Sequence, residues 1–73
     1  VQGDIETYFE DGQWKNKVEG STRAASTHHT KIEAVETGRE MARERKVEHI
    51  IKNKDGQIGQ RNTYGHDPRD IPG

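Results

Sequence analysis

The sequence predicts an α+β fold in the order ββαββ, an antiparallel sheet with one helix packed on one face. Three observations carry that prediction. Two Asp-Gly pairs, Asp11-Gly12 and Asp55-Gly56, each stand between short β-leaning runs. Asp-Gly tolerates the positive φ of a tight hairpin turn, so each pair predicts a hairpin. Between them, from Thr30 to Arg45, the apolar period changes from two to that of a helix.

The first run is Ile5-Glu6-Thr7-Tyr8-Phe9-Glu10. Alternation puts Ile5, Thr7 and Phe9 on one face and Glu6, Tyr8 and Glu10 on the other. In the returning run, Trp14, Asn16 and Val18 share a face, opposite Lys15 and Lys17. The first hairpin is therefore expected over 4–10 and 13–19. Asn16 is out of place on an apolar face, so a place near an edge or a backbone partner is expected for it. Residues 20–29 are small and polar and read as a connection with a brief extended piece.

Thr30 and Glu33 form a capping box, in which each side chain satisfies an amide of the first turn. The helix is expected from Lys31 to about Arg45. Its inward stripe reads Ile32, Val35, Gly38, Met41, Ala42 and Arg45, with Ala34 at the edge. Gly38 costs about 1 kcal/mol relative to Ala in a helix interior. Its place in the stripe predicts a close approach of helix to sheet. Arg43, Arg45 and Lys46 suit the negative end of the helix dipole. Residues 47–52 and 57–62 form the second hairpin, with Gly59 marking a bulge. The expected core is Trp14, Val18, Ile32, Val35, Met41, Ala42, Ile51 and Ile58, joined by Phe9 and Val47.

Size and charge bound the function. A chain of 73 residues makes one small domain, here with a structured part over about 4–64 and an extended tail over 65–73. Such a chain buries only about 60% of its unfolded surface, too little for a core and an enclosed substrate cavity together. The 12 basic and 13 acidic residues nearly cancel, which argues against a surface built wholly for nucleic acid. There is no cysteine, so disulfides and thiolate metal sites are excluded. No apolar run nears 20 residues and no signal-peptide core is present, so the sequence predicts a cytoplasmic protein and no membrane partner.

Four segments together resemble one family. They are Trp14, then Thr30-Lys31-Ile32-Glu33-Ala34, then Asp55-Gly56-Gln57-Ile58, then Thr63 followed by Tyr64-Gly65-His66-Asp67-Pro68. In this order and at these separations they resemble domain of unknown function 2188, a group of very small prokaryotic and phage proteins. The resemblance runs over about residues 7–70. Asn16 departs from it, since an aliphatic residue is common there. It implies a short helix-and-sheet fold and no established activity.

The candidate sites follow from residue chemistry. Tyr64, His66 and Asp67 make either a clasp over the sheet's end or an exposed contact surface. His66 and Asp67 are chain neighbours without a nucleophile or oxyanion nest, so no catalytic residue is assigned. His28, His29, His49 and His66 are the histidines a metal could use. Adjacent His28 and His29 cannot easily face one ion, so no metal or other cofactor is expected. His49, in line with Val47 and Ile51, is expected to be partly buried and hydrogen bonded. Ser26 to Lys31 offer an anion site at the helix start, against which ordinary capping by Thr30 weighs.

Lys15, Lys17, Arg23, Lys52, Lys54 and Arg61 are the basic residues available to nucleic acid, with Tyr8 as an aromatic platform. Glu6, Glu10, Glu48 and Ile50 share the same sheet face, which suits a homodimer contact through Tyr8 and Ile50 equally well. The sequence therefore predicts a non-enzymatic interaction domain that self-associates. The alternative is a weak nucleic-acid-binding accessory protein; a small hydrolase or metal-binding protein ranks below both.

Overall fold

The computed structural model describes residues 3–64. Strands β1 (Ile5–Glu10) and β2 (Gln13–Val18) form the first hairpin, and a short β3 (Ser26–His28) follows. Helix α1 (Lys31–Arg45) then leads to β4 (Glu48–Lys52) and β5 (Ile58–Thr63). Both expected hairpins and the expected helix are present. The five strands lie in the order β3-β2-β1-β4-β5, and α1 packs against β1, β2, β3 and β4.

Local chemistry explains the elements. Asp11 and Gly12 both take positive φ, 54° and 78°, the conformation a two-residue hairpin turn needs. Thr30 caps α1 in an extended conformation, its hydroxyl accepting from the Glu33 amide at 3.2 Å. Lys46 ends the helix in the left-handed region, its N–H turned back to the carbonyls of Ala42 and Arg43. The second hairpin closes through Asn53 N to Gln57 O at 2.8 Å and Gly56 N to Asn53 O at 2.9 Å.

The sheet is antiparallel at three of its joints, and β1 and β4 run parallel. The small polar connection is responsible. Ser26–His28 pairs with Trp14–Asn16 and so reverses the chain once more before the helix. After α1 returns, β4 must then run in the direction of β1.

Two expected core residues lie elsewhere. Ile32 is 72% exposed, and the buried face of α1 is Ala34, Gly38 and Ala42. Val35 and Met41 only flank it, half-buried. This face has a period of four and small side chains, because the helix lies so near the sheet that larger ones do not fit. Ile58 is 50% exposed. The bulge opposite Ile51 and Lys52 sets Ile58 against Lys52, on the face away from α1. Trp14, Ala42 and Ile51 are buried as expected, together with Ile5. Phe9 and Trp14 pack with ring centroids 5.1 Å apart.

Candidate functional site

Two regions carry the polar chemistry of the domain: the sheet face away from α1, with its outer strand β5, and a polar row beneath the helix.

Register and alternation build the open face. Tyr8 lies opposite Lys15, Glu6 opposite Lys17 and Ile50, and Ile50 opposite Arg61. The predicted basic residues Lys15, Lys17, Lys52 and Arg61 therefore do share one face with Tyr8 and Ile50. Their charges are largely answered there. Lys15 Nζ stands 3.2 Å from Glu10 Oε1, Lys52 Nζ 3.5 Å from Glu6 Oε1, and Arg61 Nη1 3.7 Å from Glu48 Oε1. Lys17 Nζ lies 5.5 Å from the centre of the Tyr8 ring, within cation–π range. Partial burial, and then the Glu10 carboxylate, raise the Tyr8 hydroxyl above its usual range. The phenol stays neutral and able to donate.

The other predicted residues are not gathered there. Lys54 lies over the Phe9 ring at 5.0 Å, on the helix side. Arg23 is exposed in the connection between β2 and β3. Tyr64 is half-buried, its amide donating to Val47 O at 3.3 Å. His66 and Asp67 lie outside the described residues. Ile50 is already 5% exposed within the chain, so it adds little area to any contact. At the helix start, Ser26–His28 is spent on β3 and Thr30 on the cap, while Lys31 Nζ sits over the Trp14 ring at 5.4 Å. Among the described residues, no three His, Asp or Glu side chains converge to hold a metal ion.

β5 stands apart. Its residues are almost all exposed, and α1 makes no packing contact with it among the described residues. Among the described residues it is an outer strand of six residues, and no strand pairs with one edge of its backbone.

The polar row crosses four strands under Gly38. His49 on β4, Thr7 on β1 and Asn16 on β2 are all fully buried, and Ser26 on β3 is half-buried. Asn16 Nδ2 donates to Ala34 O at 2.9 Å and to Ser26 Oγ at 3.1 Å. A carbonyl can only accept, so this fixes the amide's orientation. Asn16 Oδ1 then accepts from the Thr7 hydroxyl. Thr7 has no second proton, so its 2.7 Å contact with His49 Nε2 requires the ring nitrogen to donate. Ser26 Oγ stands 2.9 Å from His28 Nε2. Asn16 thus has its expected backbone partner, but at the centre of the helix–sheet contact. The only sequence signal for the row was the polar content of an otherwise apolar face.

No curated protein and no solved structure matches the chain. A family model described as an uncharacterized protein conserved in bacteria matches residues 5–64. With the fold and all but the tail of its motif residues in place, the chain belongs to the domain of unknown function 2188 family.

Proposed function

We propose that this protein is a non-enzymatic interaction domain that associates with a second copy of itself through β5 and the adjoining open face. The observation that carries the reading is β5: a six-residue outer strand, exposed nearly throughout, that α1 does not cover. Such an edge is a template for another strand, and natural proteins usually blunt it. At the other edge, β3 is only three residues long, too short to offer the same template. Ile58, half-exposed beside Lys52, gives the contact an apolar centre. A second copy also supplies the layer that a domain of this size lacks. A small secreted domain without cysteine would be unusual, which supports a cytoplasmic location.

Nucleic-acid binding is the second reading, supported by Lys15, Lys17, Lys52 and Arg61 on one face with Tyr8. Three of those four cations already face a carboxylate. The face is close to neutral, which favours a protein partner over a polyanion. Sedimentation velocity of the full chain over a wide concentration range tests both. Self-association predicts a monomer–dimer equilibrium that tolerates salt and that Ile58→Lys weakens at least tenfold. A monomer at every concentration overturns it. Salt-sensitive binding of single-stranded oligonucleotide, lost on Lys15→Glu and Lys17→Glu, selects the second reading.

A further inference from the structure

The row beneath α1 ends on a histidine with half of its chemistry unused. His49 donates through Nε2, so its Nδ1 is the bare nitrogen. That atom is buried and has no hydrogen-bond partner among the described residues. Gly38 closes the space above: a Cβ there would stand 2.6 Å from His49 Nε2 and 2.5 Å from Asn16 Oδ1. The site has no slack to re-aim the ring.

Among the described residues, the groups that face the ring offer nothing to receive a charge. On the helix side of the sheet, β1 places Ile5, Thr7 and Phe9, and β2 places Trp14, Asn16 and Val18. The neighbours on β5 are Asn62 and Gln60. Val47 and Ile51 flank the ring in its own segment. β3 contributes Ser26 and, at the far end of the row, His28. From α1 the charged neighbour is Arg39, a cation. No carboxylate stands in this set; the buried Asp4, the residue before Ile5, lies close by, and its Oδ1 accepts from the Glu48 amide at 3.2 Å.

We propose that His49 is a pH latch on the helix–sheet contact: neutral, it holds the row closed beneath Gly38, and a proton taken from solvent onto Nδ1 opens that contact. Among the described residues the added N–H has no acceptor and the added charge no counter-ion, so the protonated ring is tolerated only where α1 has lifted and water has entered. Burial, and then the Arg39 charge, hold the imidazole below the ordinary histidine range. The sign follows. The unfolded chain takes up a proton near the ordinary value of 6.5, and the folded chain resists it. Stability is full above that value and falls with pH until the folded group titrates, about tenfold in folding constant per pH unit.

The test is a ring-nitrogen NMR titration of the full chain, with Trp14 fluorescence and α1 amide exchange followed on the same samples. At neutral pH the His49 ring should be the Nε2–H tautomer. On acidification its protonation should coincide with loss of Trp14 and α1 protection. His49→Gln keeps a donor toward Thr7 but cannot titrate, and should remove that step while leaving acid unfolding by carboxylates. An Nδ1–H tautomer at neutral pH overturns the proposal. So does titration near 6.5 with the fold intact, or an unchanged transition in a folded His49→Gln. If that variant does not fold, the wild-type ring titration decides alone.

Discussion

Replacing Gly38 with Ala tests the close helix–sheet contact directly. In an open helix interior this change gains about 1 kcal/mol. Here the new Cβ meets Asn16 Oδ1 at 2.5 Å, His49 Nε2 at 2.6 Å and Thr7 Oγ1 at 2.8 Å. All three atoms belong to fully buried side chains joined to one another. None can move aside without leaving a partner. Overpacking a tight site costs about 1–3 kcal/mol, and a buried polar group left unpaired costs about 1–3 kcal/mol more. Set against the helix gain, the expected net loss is about 3 kcal/mol. In a domain of this size each kcal/mol lowers Tm by about 4–8 °C, so the variant should melt about 12–24 °C lower. Circular dichroism melts and urea titrations of both proteins measure this. A Gly38→Ala variant as stable as the parent, or more stable, would refute the claim that this residue is glycine for want of space.

Other substitutions separate the row from its surroundings. Asn16→Ala strips partners from the Ala34 carbonyl and the Thr7 and Ser26 oxygens at once, and should cost about 3 kcal/mol or more in urea titrations; a loss under 1 kcal/mol would mean that the row is incidental to stability. Ile32→Gln, on the outward side of α1, should change stability by no more than about 0.5 kcal/mol despite the loss of a large apolar group. A loss typical of a core isoleucine there would place that side chain against the sheet.

The sequence by itself determined what depends on chain neighbours. Asp11-Gly12 needs only its own backbone freedom to make a turn. Thr30 and Glu33 lie within one helical turn of each other, so the start of α1 was legible to the residue. The alternation of β1 and β2 gave the right faces, and Gly38 was rightly read as a point of approach. The open face, too, could be assembled from alternation once the two hairpins were assumed to adjoin.

Tertiary structure decided what rests on distant partners. The pairing of Ser26–His28 with β2 has little apolar signal, because these residues pair through the backbone and through Asn16. Yet that pairing reverses the chain and makes β4 parallel to β1. Apolar periodicity favoured Ile32 as a core residue, but the tight approach at Gly38 selected Ala34 and Ala42, whose size suits the gap. The bulge turned Ile58 to the open face. The polar row joins residues 9, 10 and 42 positions apart in sequence. Each of its members alone is an ordinary polar residue. Only the fold brings them within hydrogen-bond distance and excludes the water that would otherwise satisfy them.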